Sequence, residues 1–417
     1  MVEIRLASKI VKSVLIKHVT YIDAVDEVFP NERKTFKSSN ISVFLAKQTI
    51  KHYFLFENLY HQKGLELNDD KKIVLFVVLA NNLFANILNK NSCISFLEGE
   101  IGAEQFEKIV PVLKYKGDIE ELICFEKDSD FFYATKYNVP IWLVHMWRKH
   151  YGDDLIKEFL EAAQNYDLQS YAVNTFKSNA EDILKKYPQL KSPFGDALIF
   201  NGTTRYQTTE EFKNDEFFDV KLGFKSLIDD YVNSEDEVLL YSGYEDDFAK
   251  AAIVNTKGKA GLNLIVPDMN ERYDVLRFIR INKLRNINMF QANDEYGFDA
   301  GISYKQNTVI VFPESSRFDI ATKYPDFLLR FDRESLDKLI EDERHALELC
   351  SKYVEDGGTL VYIVNTLNKK ESYNIISEFL LKHPRFKLLR DRQIIASHPF
   401  GTTMYYAVLT LEGESND

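Results

Sequence analysis

Apolar residues near the start of the chain recur at the spacing of an amphipathic helix. Ala7, Ile10, Val11, Val14 and Leu15 fall on one face at about 3.6 residues per turn. Similar apolar clusters recur over residues 42–60, 72–89, 104–113, 139–149 and 155–163. This pattern predicts an all-α N-terminal domain over residues 1–164.

The pattern weakens between residues 165 and 218. Two short strand-like stretches, 171–174 and 197–200, are separated by turn signals at Ser192-Pro193 and followed by another at Asn201-Gly202. We interpret residues 165–218 as a small α+β bridging segment.

After residue 218 the pattern alternates between short apolar runs and amphipathic stretches. The runs predict strands at 237–241, 262–266, 308–312, 359–364 and 403–409, with helices at 246–254, 270–283, 333–354 and 369–382. Gly357 and Gly358 are expected to end the third of these helices through a left-handed cap. Residues 219–417 are therefore predicted to form a mostly parallel, doubly wound, Rossmann-like α/β domain, with ligands bound outside the carboxyl ends of its strands.

Composition narrows the function classes. The net charge of -12 argues against a surface coated with phosphate-binding groups, although residues 1–60 hold nine Lys and Arg against six Asp and Glu. Cys93, Cys124 and Cys350 share no metal-ligand spacing and form no disulfide framework, which favours a reducing, cytoplasmic setting. The sequence indicates no secretory start, no membrane span and no metal site, and it does not specify an oligomeric state.

Several separated segments carry a resemblance. They are VPIWLVHMWRKHYGDDLIKEFLEAA (139–163), AVNTFKSNAEDIL (172–184), and the run from YPDFLLRF through GGTLVYIVNTLNKKESYNIISEFLLKHPRF to TTMYYAVL. In order and spacing they resemble the RsmB (Fmu/Sun) family of ribosomal RNA cytosine-5 methyltransferases. The resemblance covers nearly the whole chain and implies a NusB-like helical N-terminal domain, a class I methyltransferase-like domain, S-adenosylmethionine as cofactor and ribosomal RNA as partner.

The loops that would hold the cofactor depart from the family's pattern. The glycine-rich loop after the first strand is replaced by residues 240–249, where only Gly243 remains and Glu245, Asp246 and Asp247 introduce negative charge. We interpret Asp246 or Asp247 as a helix cap. These changes argue against binding of S-adenosylmethionine.

Other cofactor positions of the family have candidates in this chain. Asp268, followed by Arg272, matches the acidic residue that accepts the ribose hydroxyls, although an Asp before a helix is often only an N-cap. At the next loop Asn293 stands at the position of a family Asp, which Asp294 could supply after a shift of one residue.

The two loops that carry the family's chemistry have lost their thiols. In the family one cysteine adds to carbon 6 of cytosine and a second assists elimination. Here Glu314 stands at the second cysteine's position, Val311 at that of the nearby acid, and Val364-Asn365 replaces Thr-Cys at the end of the later strand. An amide has no ionisable proton to lose and cannot replace a thiolate. Cys350 is interpreted as a core residue, so we predict no catalytic residue.

Three hypotheses follow from this pattern. The favoured one is a degenerate RNA cytosine-5 methyltransferase homologue, a pseudoenzyme that binds RNA without methyl transfer. The alternatives are an active S-adenosylmethionine-dependent RNA methyltransferase with altered loops, and a protein-interaction scaffold. Candidate phosphate contacts are Lys9, Lys12, Arg33, Lys34, Lys37 and Lys177, although Ala172 replaces the Arg that precedes the family's motif near Lys177.

Overall fold

The helices and strands of this protein were obtained from a computed structural model. It describes residues 1–33, 36–37, 40–165, 168–202, 204–242, 245–259, 261–266, 272–292, 302, 305–320, 324, 326–331, 333–395 and 403–413. The described residues fall into two compact units. One unit contains residues 1–156 and 320–332, and the other contains residues 157–319 and 333–417.

The first unit is helical, as the apolar spacing predicts. Asn40, Asn68, Asn89 and Ser129 cap four of its helices by accepting hydrogen bonds from backbone N–H groups of the first turn. A π-helix, Asn81–Ala85, directly follows the helix that ends at Ala80. The helices are α1 (Val2–Lys17), α2 (Tyr21–Val28), α3 (Ile41–Lys51), α4 (Tyr53–Gln62), α5 (Asp69–Ala80), α6 (Lys90–Ile101), α7 (Ala103–Leu113), α8 (Asp130–Tyr137), α9 (Ile141–Tyr151) and α10 (Asp153–Asn165), the last of which continues into the second unit; a short helix, Phe327–Arg330, also belongs to the first.

A small antiparallel sheet begins the second unit. In the described chain it contains β1 (Leu168–Val173) between β2 (Ala197–Asn201) and β3 (Phe217–Asp219). Helices α11 (Ala180–Lys186) and α12 (Glu210–Lys213) lie between its strands in the sequence. Tyr171, Phe217 and neighbouring aromatic rings form its core. The domain limits at residues 164 and 218 stay predictions.

A larger sheet of seven strands in the described chain follows. Its order in space is β6-β5-β4-β7-β8-β10-β9. The strands β4 to β8 run parallel, and β10 is inserted antiparallel between β8 and β9. The mostly parallel α/β prediction is therefore confirmed. The strands are β4 (Val238–Ser242), β5 (Leu262–Val266), β6 (Ile287–Gln291), β7 (Gln306–Phe312), β8 (Val354–Val364), β9 (Phe386–Ile394) and β10 (Met404–Leu411).

Helices pack against this sheet and bury its apolar side chains. Val238, Leu240, Leu262 and Ile310 belong to one continuous core with Phe248, which lies on the helix that follows β4. The helices are α13 (Leu222–Tyr231), α14 (Asp246–Asn255), α15 (Tyr273–Ile281), α16 (Arg333–Ser351) and α17 (Tyr373–Lys382). None of the helices in the described ranges is long and apolar enough to cross a membrane.

The prediction that Gly357 and Gly358 cap a helix is wrong. Helix α16 ends at Ser351, and both glycines lie inside β8. The register between β7 and β8 shifts there, so that Gln306 pairs with Val354 but Thr308 pairs with Thr359. Gly357 has a φ of 81°, and a Cβ on Gly358 would lie 3.0 Å from the carbonyl oxygen of Asn307. Glycine is thus required by a β-bulge rather than by a helix end.

Candidate functional site

The strands β4, β7 and β8 all end at one edge of the large sheet, here called the carboxyl edge. Asn365 follows β8 at this edge and is 1% exposed. Its side-chain amide donates a hydrogen bond to Oε1 of Glu245, which follows β4, at 2.9 Å. The residue that the resemblance places at the nucleophile's position is therefore buried and bonded to a carboxylate.

Two cations balance the charge of Glu245. The Nη1 atom of Arg317 lies 3.1 Å from Glu245 Oε1, and the Nζ atom of Lys221 lies 3.5 Å from it. Both cations also reach Asp319, at 3.3 and 3.2 Å respectively. Glu245 and Asp319 are mostly buried, with side-chain exposures of 14% and 5%. Each mostly buried carboxylate thus has two positive partners, which offsets the cost of taking it out of water.

The loops after β7 and β8 are also joined by another carboxylate, that of Glu371. This side chain is 0% exposed. It accepts hydrogen bonds from the backbone N–H of Ser316 at 2.6 Å and from the hydroxyls of Ser316 and Thr366, each at 2.8 Å. The amide of Asn368 donates another at 2.8 Å. Glu371 is therefore the common acceptor for donors from both loops.

Glu343 on α16 is the neighbour of Glu371 and is also 0% exposed. Neither of its carboxyl oxygens accepts a hydrogen bond from the residues that the structure describes. Burial, followed by the charge of Glu371, raises the pKa of Glu343 well above its usual range. Because Glu371 is already satisfied by donors, we assign the proton to Glu343, which can then donate a hydrogen bond to Glu371.

The start of α14 carries three acidic side chains, Glu245, Asp246 and Asp247, and each has a cationic partner. Glu245 is the N-cap residue of this helix but makes no side-chain cap hydrogen bond. The interpretation of Asp246 or Asp247 as the cap is therefore wrong: Asp246 instead pairs with buried Arg272 at 2.6 Å. Burial and the nearby acids, including Asp219, raise the pKa of Asp247 to about 7. A helix N-terminus can favour an anion, and the family resemblance would place the cofactor's carboxylate here. In this chain the acids of the first turn and the nearby cations satisfy one another instead.

The three predicted cofactor residues, Asp268, Asn293 and Asp294, lie outside the described residues, as do Gly243 and Lys34. Glu314, which stands at the position of the family's second cysteine, is exposed. Cys350 is buried in α16 and burial raises the pKa of its thiol, which agrees with a packing role. Within the described ranges, no cluster of His, Cys, Asp and Glu could hold a metal ion.

The predicted phosphate contacts in the first unit divide into paired and exposed residues. Lys12 pairs with Asp70 at 2.6 Å and Lys37 pairs with Asp26 at 2.5 Å. Lys9 and Arg33 are exposed. In the second unit, the ammonium of Lys177 donates to the carbonyl oxygen of Asn214 at 2.6 Å.

Sequence reasoning did not identify Lys221, Arg317, Glu343 and Glu371 as parts of this site. Arg317 has a φ of 55°, an uncommon conformation for a long side chain. No local sequence pattern marks Arg317 as part of the site. Asp319 lies two residues away in the same loop, but Glu245 belongs to the loop after another strand, β4.

Known structures share this fold. No protein-family model and no curated protein match the sequence. The crystal structure of PH0851 aligns with 98% of both chains at 15% identity and a TM-score of 0.69. NSun6 from Pyrococcus horikoshii, solved with SFG, aligns with 65% of this chain and 97% of its own at 10% identity, with a TM-score of 0.56. A methyltransferase homologue from Pyrococcus horikoshii aligns with 66% of this chain and 97% of its own at 12% identity, with a TM-score of 0.55. At these identities the likenesses show that the chain has a methyltransferase-like fold.

Proposed function

We propose that this protein is a degenerate relative of the RNA cytosine-5 methyltransferases that binds RNA, ribosomal RNA by the family resemblance, without transferring a methyl group. The helical N-terminal region is part of this proposal as a NusB-like RNA-binding domain. The fold shared with NSun6 and with a methyltransferase homologue supports a methyltransferase ancestry.

One observation carries the proposal of inactivity. The side chain that ends β8 is an amide, and its nitrogen is 2.9 Å from the carboxylate of Glu245. Activation of the pyrimidine in this family needs a nucleophile that adds covalently, and an amide has no proton that it can lose at physiological pH. Losing the nucleophile of a covalent enzyme costs a factor on the order of 10⁶ in turnover in the hydrolase that serves as the standard case.

The neighbours of Asn365 are also unfavourable for a thiol. A cysteine at residue 365 would lie beside Glu245, and the nearby cations Arg317 and Lys221 already pair with Glu245 and Asp319. They are therefore not directed at a thiol whose ionisation they could favour. The start of α14 further disfavours S-adenosylmethionine, because its cations are already engaged by the acids of the first turn and are not directed at the cofactor's carboxylate. We therefore expect neither cofactor binding nor recovery of activity from Asn365→Cys alone.

Two measurements test the proposal directly. The full chain is titrated calorimetrically with S-adenosylmethionine, and it is incubated with labelled S-adenosylmethionine and ribosomal RNA beside an active cytosine-5 methyltransferase as a positive control. We expect no heat of binding and no labelled RNA from either the wild type or Asn365→Cys. Label on RNA from the wild type would overturn the proposal in favour of an active methyltransferase with altered loops.

RNA binding is tested separately, by fluorescence anisotropy with fragments of ribosomal RNA at several salt concentrations. Binding that weakens steeply with salt is expected, because phosphate contacts release counterions. No binding even at low salt would contradict the RNA part of the proposal and favour a protein-interaction scaffold.

A further inference from the structure

Seven cations gather at the opposite edge of the large sheet, where β5 and β6 begin, here called the amino edge. They lie on or beside four turns, and several have no acidic partner among the residues that the structure describes, although the chain carries a net charge of -12. We call the set the basic cluster: Lys177, Lys213, Lys257, Lys259, Arg277, Lys283 and Arg285.

Buried polar contacts hold two of these turns to the turn after α15. The side-chain amide of Asn174, which is 0% exposed, donates to the carbonyl oxygen of Asp215 at 2.8 Å and to Oδ1 of Asn282 at 3.3 Å. The turn after β1, the turn before β3 and the turn after α15 therefore meet at one point. This places Lys177, Lys213 and Lys283 on adjacent segments.

The turn after α14 joins the same group. Asn286 donates through its side chain to the carbonyl oxygens of Gly258 and Lys259, at 3.3 and 3.2 Å. A Cβ on Gly258 would lie 3.6 Å from the side chains of both Phe176 and Leu284, so these segments are packed together. Lys257 and Lys259 flank that glycine, and Lys283 and Arg285 flank Leu284.

Most of the cluster's charge is not neutralised. Lys257, Lys259, Lys283 and Arg285 are exposed, and across the residues that the structure describes they form no ion pair. The other three cations of the cluster, Lys177, Lys213 and Arg277, line an open groove of about 390 Å³. The groove is also lined by Asn214, Asp215, Glu216 and Ile281. Within it Arg277 pairs with Asp215 at 2.7 Å, and at its rim Lys213 pairs with exposed Glu210 at 2.9 Å.

We propose that the basic cluster is the surface that binds the phosphate backbone of RNA, so that RNA docks at the amino edge rather than at the carboxyl edge that holds Asn365. This inference rests on the proposed RNA-binding function and specifies its location. Exposed lysines and arginines without partners are the groups that neutralise phosphates and release counterions. Strand β5 has five residues, so its two ends are separated by roughly 15 Å at about 3.3 Å per residue. RNA held by the cluster would therefore not depend on the groups around Asn365.

A charge-reversal pair with a matched control tests the proposal. Lys257→Glu/Lys259→Glu reverses two cluster charges, whereas Lys338→Glu/Lys370→Glu reverses two exposed lysines of the second unit that lie outside the cluster and changes the net charge equally. Binding of each full-length variant to a mixed-sequence single-stranded RNA is measured by anisotropy across a salt series. The cluster variant should bind roughly tenfold or more weakly at low salt, and its slope of log affinity against log salt should fall by about one per lost phosphate contact. The control variant should bind as the wild type does.

The outcomes separate the two proposals. If the wild type binds RNA and the cluster variant binds equally well, or if both variants lose the same affinity, the location is wrong while RNA binding stands. If the wild type binds no RNA, the proposed function fails first. Vesicles of phosphatidylserine serve as a second polyanion: loss of vesicle binding without loss of RNA binding in the cluster variant would overturn the assignment to RNA. Unchanged thermal unfolding of both variants is the check that they are folded.

Discussion

The two edges of the large sheet use charged residues in opposite ways. At the carboxyl edge, Glu245 and Asp319 are mostly buried and each has cationic partners within 3.5 Å. At the amino edge, Lys257, Lys259, Lys283 and Arg285 are exposed and make no ion pair with any residue in the described parts of the chain. Charges that satisfy one another inside a protein hold loops in place, whereas unpaired surface charges remain available to a partner.

Under the proposed function, this difference accounts for a fold that keeps its RNA partner after losing a reaction. A catalytic edge needs reactive, accessible groups, and the described loops after β4, β7 and β8 instead bond to one another. A docking surface needs only exposed charge on a rigid support. Changes that consolidate the first edge need not alter the second, so we expect the two to respond independently to mutation.

The largest effect should come from removing the carboxylate that joins two loops of the carboxyl edge. Glu371→Ala leaves the donors of Ser316, Thr366 and Asn368 without their acceptor in the interior. We expect the free energy of unfolding to fall by about 3 kcal/mol or more. Glu378→Ala, which breaks a partly exposed pair with Arg344, is the matched control and should cost less than about 1 kcal/mol. Both losses of unfolding free energy are measured by urea denaturation. If they are equal, the buried carboxylate of Glu371 does not stabilise the carboxyl edge more than a partly exposed ion pair does.

The second effect depends on pH and concerns the proton on Glu343. Its pKa is raised in the folded protein, so folding retains a proton that the unfolded chain loses above about pH 4.5. Stability from this group is therefore present at low pH and is lost as pH rises toward the folded pKa, by up to about 1.4 kcal/mol per pH unit.

Glu343→Gln should remove this dependence, because the amide keeps a donor for Glu371 and does not ionise. Urea denaturation of wild type and variant at about pH 5 and about pH 8 measures the difference. We expect the variant to gain stability relative to the wild type at the higher pH. If the difference in free energy of unfolding between the two proteins is the same at both pH values, Glu343 does not carry a proton in the folded protein.

A smaller effect is expected at Asn365. Asn365→Ala removes one hydrogen bond to Glu245. The carboxylate of Glu245 keeps its two cationic partners, Arg317 and Lys221. A loss of about 1 to 2 kcal/mol follows, since the bond has a charged acceptor. Exposed Asn374 supplies the control, Asn374→Ala, which should stay within about 0.5 kcal/mol of the wild type. RNA affinity should be unchanged in both, and a drop in RNA affinity for Asn365→Ala alone would mean that the two edges are not independent.

The smallest effect on stability is expected at the amino edge. Lys283→Glu/Arg285→Glu changes exposed side chains without partners in the described chain, so the free energy of unfolding should change by no more than about 0.5 kcal/mol. RNA affinity should nevertheless fall. If the variant is strongly destabilised instead, these cations support the fold and the contrast between the edges is wrong.

The fold was predictable where burial leaves a regular pattern. The runs at β4, β5 and β7 are buried along nearly their whole length, and these strands lie where the apolar residues predict. Strands β6 and β9 were not predicted, because β6 is only half-buried and the middle of β9 is largely exposed, so neither gives a clear apolar run. Glycines were ambiguous as well, since a helix cap and a β-bulge both favour a positive φ.

The site was predictable only in part. The sequence alone predicted that residue 365 follows a buried strand, because that strand is a continuous apolar run. It also showed that this residue has no thiol. The partners of Asn365 could not, since Glu245 is 120 residues away along the chain and meets it only through the order of the strands. The basic cluster could not be predicted for the same reason, because its cations come from separate turns that are far apart along the chain. They form no charged block in the sequence.

The β-bulge at Gly357 and Gly358 has a consequence for how tightly chain length is constrained in this protein. Between the pairs Gln306–Val354 and Thr308–Thr359, β8 advances five residues while β7 advances two. Successive residues of a strand point to opposite faces of the sheet. If the pairing of Gln306 with Val354 is kept, deleting one residue from the bulge shifts the later residues of β8 by one position and brings Thr366 to the place of Asn365. The number of residues in the β-bulge thus determines which side chain lies beside Glu245, several residues further along the chain.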